Sequence, residues 1–519
     1  MLRILYGTAG TGKSAAIMDE IRRGADSGER YILLVPEQYS HEAERELCAV
    51  CGDGLSLYAE VLSFTGLARE ISSECGGAAN EYLDKGGRLL CMALAADGLY
   101  SRLRVYGAAR RKAELQTMLL GAVDEFKSAC VTSERLMQAS EACEGALGDK
   151  LHDLGLILEA YDGVVANGRA DPSDRLSVLA QQIGQCSMSE RTHVFVDGFT
   201  DFTAQERRVL EALLSKGVCL TVCLGCDELH GGSEVFALSR ITASALLKFA
   251  ADNGIKAQTE RFGGESTKAK PLGEFAENMF SYRAVEAGDA QGRIKIISAA
   301  DTNAECEFAA AEAVSLVRDT GCRWRDIAVC AKGFDDYRLP LESAFSRFGA
   351  PIYTARKADM LSKPLPMLIE SAYEIILGGW EADDVFDYLR TGFGGLDTDE
   401  CDELENYVFM WQLHGSAWTR AENWRLHPEG YGKQPDEASE QTLEQINLLR
   451  ETARRPLMRF AENAAAATTA TEQAQALASL FEDLHLADKL QARAEALEKD
   501  GRAAAAQEYA QLWDITAVS

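Results

Sequence analysis

An α/β fold of parallel sheets carrying large helical insertions is the class this sequence predicts, and three observations predict it. Short apolar strands alternate with amphipathic helices over the first 80 residues. A glycine-rich octapeptide, Gly7-Thr8-Ala9-Gly10-Thr11-Gly12-Lys13-Ser14, lies where the first strand turns into the first helix. Two long stretches, 81–185 and 356–519, place apolar residues at three- and four-residue steps with no strand pattern within them.

Taken in order, residues 3–6 read as a strand, 13–23 as a helix and 31–35 as a second strand that Pro36 stops. A helical pattern resumes at 40–48. Strand–loop–helix steps of this length imply a parallel sheet with helices on its faces. After the helical block 81–185, strands return at 193–196 and 218–224 on either side of a helix at 204–214, so the block reads as an insertion into one α/β domain. Gly263, Gly264 and Ser266, with the Lys and Pro residues after them, mark a boundary, and 266–292 reads as a linker. A second α/β unit is expected over 293–355, with strands at 294–298 and 327–331 and helices at 304–318 and 340–348. From 356 the chain reads as helical. Its alanine-rich part, 461–510, keeps an apolar face through Leu477, Leu480, Phe481 and Leu484.

A chain of 519 residues is too long for one core and should hold two to four domains. No apolar run approaches a membrane span. Fourteen cysteines without a secretion signal suit reduced thiols and a cytoplasmic location. Cys219, Cys223 and Cys226, and the Cys48/Cys51 pair, are expected as core residues rather than metal ligands, because the first group falls in an apolar strand. A formal charge of −28 excludes a protein that coats DNA by general charge, so any nucleic-acid contact must be a local groove.

The octapeptide fits G-x-x-x-x-G-K-[ST] in the strand-to-helix context that the motif needs. Gly7, Gly10 and Gly12 let the backbone curl so that N–H groups, Thr11 among them, face phosphates. Lys13 would reach the β- and γ-phosphates of ATP, and Ser14 would ligate Mg2+. A partner acid should end a later strand, and Asp197, after 193–196, stands there; the other reading of Asp197 is a turn aspartate. Gly198 follows, where a hydrolytic motor would place a glutamate. The pattern favours nucleotide binding over turnover.

With that loop, Val35-Pro36-Glu37-Gln38-Tyr39-Ser40, Leu62-Ser63-Phe64-Thr65 and Val196-Asp197-Gly198-Phe199 all in order, the chain resembles the AddB family over essentially its whole length. Members partner AddA in a bacterial helicase–nuclease and are similar to UvrD-like superfamily-1 helicases with eroded motor motifs. The resemblance implies RecA-like domain 1A over 1–80 and 186–265, insertion 1B over 81–185, the start of domain 2A over 293–355 and a truncated insertion 2B over 356–519. It places helicase motif Ia at 35–40, Ib at 62–65, the start of III at 224–227 without its glutamine, and IV at 328–338. Arg338 would then act toward the γ-phosphate, although a solvated arginine near a helix start reads the same way.

The family is thought to survey single-stranded DNA for the Chi signal, which implies contacts from Gln38, Ser40, Phe64, Arg69 and Phe199. Phe64 and Phe199 are equally at home in a core, and burial decides between the two roles. Gly66 stands where relatives often carry a larger basic side chain. No glutamine motif precedes Gly7, and motifs V and VI, the 5′–3′ exonuclease and its four-cysteine 4Fe–4S cluster are expected outside this sequence. The expected partners are an AddA-like subunit, in a heterodimer, and single- and double-stranded DNA, with no membrane. Competing readings are a free-standing P-loop NTPase or kinase, and an architectural subunit whose loop is vestigial.

Overall fold

In a computed structural model, residues 1–52, 54–76, 81–263, 270–279, 292–354 and 362–518 are described. The chain divides into two units, Met1–Ser298 and Ala299–Ser519.

The first unit is built on six parallel strands: β1 (Leu2–Gly7), β2 (Arg30–Leu34), β3 (Ala59–Leu62), β4 (Thr192–Val196), β5 (Cys219–Gly225) and β6 (Ala257–Arg261). Their order across the sheet is β3-β2-β4-β5-β1-β6. The central strands are apolar on both faces, as a parallel sheet covered on both sides requires. Leu5, Leu33, Phe195 and Cys223 face α1 (Lys13–Arg23) and α2 (Ser40–Cys51), which contribute Ile17, Ile21, Ala43 and Leu47. Ile4, Leu34, Val196 and Val222 face the opposite layer, formed by α3 (Phe64–Cys75) and helices Arg175–Gln182, Ala204–Ser215 and Ala237–Asp252.

Two strands escape a reading by apolar pattern. β3 has only four residues, and β6 is an edge strand whose five residues are all exposed. A further difference concerns the first insertion. Helix Arg175–Gln182, expected within it, packs Leu179 into the sheet domain's core, with Ile183 beside it, both fully buried. The inserted helices between Lys85 and Val165 keep a separate core around Met92, Leu119, Leu156 and Tyr161. The two connections of the insertion meet at a parallel bridge between Tyr82 and Ala170.

The expected boundary at Gly263, Gly264 and Ser266 lies partly outside the described residues, as does much of the linker 266–292. Its described part includes a helix, Lys270–Asn278.

In the second unit, helices Thr302–Thr320 and Phe334–Arg347 pack on each other through Ala310, Ala313, Leu341 and Phe345. The second helix starts six residues before the expected 340 and carries Pro340 inside it. The strands expected at 294–298 and 327–331 do not form: among the described residues neither segment pairs with another strand, and Ile296 is 95% exposed. An apolar run becomes a strand only when a neighbour satisfies its backbone groups. The remaining helices, from Pro364–Gly378 to Ala503–Val518, share one core around Trp418, Trp424, Leu457 and Phe460. Leu480 and Leu484 lie in it with Leu477 and Phe481 packed against it, so the alanine-rich segment does carry an apolar face.

Candidate phosphate and nucleic-acid sites

Ligands of open parallel sheets bind beyond the carboxyl ends of the strands, and this edge gathers the expected residues of the first unit. β1 runs into the loop at Gly7. A Cβ there would come within 2.3 Å of the Phe262 carbonyl oxygen, so only glycine fits against the end of β6. Gly10 and Gly12 both take φ of +85°, the left-handed region that glycine enters without strain. Helix α1 begins directly after Gly12 with no side-chain cap and no acidic residue in its first turn, leaving its positive end to an anion.

Lys13 is buried, and its Nζ donates to the carbonyl oxygens of Gly7 at 2.7 Å and Thr8 at 2.8 Å, with the Thr11 hydroxyl at 3.4 Å. The Thr11 hydroxyl donates in turn to Thr8 O at 2.9 Å. Burial pulls the Lys13 pKa below the ordinary lysine value, while Cys223 and the Asp197 carboxylate oppose that shift. Ser14 is exposed beside it. The cradle, the ammonium at its centre and the uncapped helix end fit a polyphosphate, and Ser14 and Asp197 supply oxygen donors of the kind Mg2+ takes.

Asp197 follows β4, and its amide continues the ladder to Leu34 O at 3.0 Å. One carboxylate oxygen accepts from the Gly198 amide at 2.9 Å. Gly198 has φ of +82°, and a Cβ on it would lie 3.2 Å from Pro36, so a glutamate at that position would be strained. Cys223 lies on the neighbouring strand, and burial followed by the Asp197 charge pushes its thiol pKa up.

The expected DNA contacts separate by burial. Gln38 and Arg69 are exposed. The Ser40 hydroxyl closes a turn by donating to Glu37 O at 2.8 Å. Phe199 is half-buried. Phe64 is not a surface residue: at 5% exposure it packs in the sheet domain's core, edge-on to Phe199 and Phe202 with ring centroids 5.5 and 6.2 Å away. That packing removes Phe64 as a stacking face. Ser63, just before it, caps α3 by accepting from the Gly66 amide at 3.1 Å, which accounts for a serine there.

Tyr39, absent from the contacts expected on sequence, presents a 43% exposed ring between Gln38 and Ser40. It lies near enough to Asp197 for that charge to help raise its pKa, after the larger effect of burial. Its sequence signal is an aromatic in a loop directly after a strand, where no partner strand covers it. Arg338 lies in the second unit, 3.6 Å from Glu342 one helical turn on, with its Nε buried and unpartnered. Cys226 is buried, Cys219 half-buried and Cys48 exposed.

Residues 4–275 match the family described as "ADDB, N-terminal". Over 530 residues the chain is 30% identical to an ATP-dependent helicase/deoxyribonuclease subunit of Acetivibrio thermocellus, an alignment covering 99% of this chain and 46% of that protein. The protein of the same name from Desulforudis audaxviator is 33% identical over 539 residues, again 99% and 46%. That from Clostridium botulinum strain Langeland is 29% identical over 531 residues, with the same two shares. The chain therefore spans less than half the length of these curated relatives.

Proposed function

The chain belongs to the AddB N-terminal family, and from that premise we propose that it is the nucleotide- and DNA-binding front of a double-strand-break repair helicase–nuclease subunit. The observation that carries the reading is the Lys13 ammonium, held at the centre of a glycine cradle within electrostatic reach of Asp197. Gly7, Gly10, Thr11 and Gly12 would line the β- and γ-phosphates of ATP with backbone N–H groups. Lys13 would exchange its carbonyl partners for phosphate oxygens, and the family resemblance makes Arg338 the candidate for the γ-phosphate. Ser14 and Asp197 would hold Mg2+, which when bound offsets phosphate charge. Turnover would be slow, because Gly198 carries no base beside Asp197 and its backbone disfavours one.

Gln38, Tyr39, Ser40, Arg69 and Phe199 would meet a single strand along the carboxyl edge of the sheet, in an eroded motor that surveys DNA for Chi. The relatives are named as one subunit of a larger enzyme, which supports a heterodimer with an AddA-like partner. Their deoxyribonuclease, and the 4Fe–4S cluster expected with it, would reside in the part of the relatives that this chain does not span.

Titrating the chain with a labelled ATP analogue and with labelled single-stranded DNA, with and without the AddA-like partner, tests the reading. Binding of both supports it. ATP without DNA, even with the partner, would favour a free-standing NTPase or kinase. DNA without ATP would make the loop vestigial.

A further inference from the structure

We propose that Cys223 is a positioning residue of the phosphate site, its thiol donating to the Asp197 carboxylate and holding it on the Lys13 side of the sheet. The inference rests on the reading of residues 7–14 as a nucleotide loop and adds a residue to that site.

Register carries the argument. β5 lies between β4 and β1, pairing Val222 with Val196 on one side and Cys223 with Leu5 on the other. One residue beyond Val196, Asp197 comes opposite Cys223, and its amide still bonds to Leu34 O as the ladder would continue. Paired residues of a parallel sheet point to the same face, and successive residues alternate. Val196 and Val222 lie in the core under α3, whereas Phe195, Cys223 and Leu5 lie in the core under α1. Asp197 therefore falls on the α1 face with Cys223, where Lys13 begins the helix.

Cys223 is 3% exposed among largely hydrocarbon neighbours, and Asp197 is close enough for its charge to act on the thiol after the larger effect of burial. A valine would fill the same space with no donor. Without the thiol, nothing on β5 would hold that carboxylate, and it could swing into a direct ion pair with Lys13. Such a pair would compete with both phosphate and Mg2+ for the two residues.

The test is a titration of the whole chain with a labelled ATP analogue at stepped Mg2+ concentrations and in EDTA. It compares wild type with Cys223→Ser, Cys223→Ala and Cys223→Val, each checked by thermal melting. Loss of one ordinary hydrogen bond should raise the Mg2+ midpoint roughly fivefold in the Ala and Val variants. The Ser variant keeps a donor and should stay near wild type, and binding in EDTA, which still draws on Lys13, should weaken in the Ala and Val variants but not in Ser. A common midpoint for all four proteins, or a Ser variant that behaves like Ala, would overturn the proposal. So would failure of both Ala and Val variants to fold while Ser folds, since the donor would then serve the fold rather than the phosphate site. If wild type binds no analogue at any Mg2+ concentration, the nucleotide reading fails and this inference with it; if it binds and the variants match it, only this inference fails.

Discussion

At Lys13 burial works against the charge while three loop oxygens and Asp197 work for it. Because burial lowers its pKa, Lys13 loses its proton at a lower pH than a free lysine. ATP affinity should therefore fall as pH rises toward that depressed value, before ordinary lysines titrate. An equilibrium titration across the alkaline range checks this, and a flat response up to the ordinary lysine pKa would contradict it. Phe64 belongs to packing. Phe64→Ala should cost the first unit about 3–5 kcal/mol of stability, read as a lower melting temperature. A variant that melts like wild type but loses single-strand binding would return the ring to the DNA surface. The loop was legible in the sequence because its chemistry is local: eight consecutive residues carry it. The burial of Phe64 and the alignment of Cys223 with Asp197 were not, since both depend on which distant elements become neighbours.

Among elements, β1, β2, β4 and β5 were legible as apolar runs between turn residues, and α1 had its expected bounds. β6, Ala-Gln-Thr-Glu-Arg, has no apolar pattern because an exposed edge strand needs none. The segments at 294–298 and 327–331 show the converse: pattern without a partner yields no strand. Inside the first insertion an ion network stands in for part of the apolar core. Asp171 is fully buried, 3.0 Å from Arg88 and 3.1 Å from Lys127, and accepts from Tyr161 Oη at 2.9 Å. Burial works to raise its pKa, but Ser173, Lys127 and Arg88 prevail and hold it below the usual aspartate value. Its contribution to stability is thus present above the unfolded pKa and is lost as pH falls through the lower folded one. Asp171→Ala would remove the buried carboxylate that Arg88 and Lys127 share, leaving Arg88 with Asp124 and Lys127 with Asp162 and Asp174, and should destabilise the insertion by about 1–3 kcal/mol. Chemical denaturation followed by a probe in residues 85–165 reads this directly, and an unchanged midpoint would show that the network contributes nothing.

On the scale of the whole molecule, a formal charge of −28 sets the terms on which DNA can bind. Among the described residues, no helix is long and apolar enough to cross a membrane. Single-strand affinity should be weak for the chain alone and should fall steeply with salt. Arg69→Ala should flatten the log–log salt slope by about 0.7, the share of one phosphate contact on a single strand. An unchanged slope would place Arg69 off the DNA path. The division into sheet domain and helical insertion was legible because strand and helix periods differ. The strand order, which brings Asp197, Cys223 and Lys13 together, was not, because no local pattern encodes it. The central claim is that residues 7–14 hold a nucleoside triphosphate with Mg2+. Calorimetric titration of the chain with a non-hydrolysable ATP analogue and Mg2+, beside Lys13→Ala, tests it most directly. The account predicts saturable one-site binding by wild type and none by a folded Lys13→Ala variant. Equal binding by the two proteins, or no binding by wild type, would contradict it.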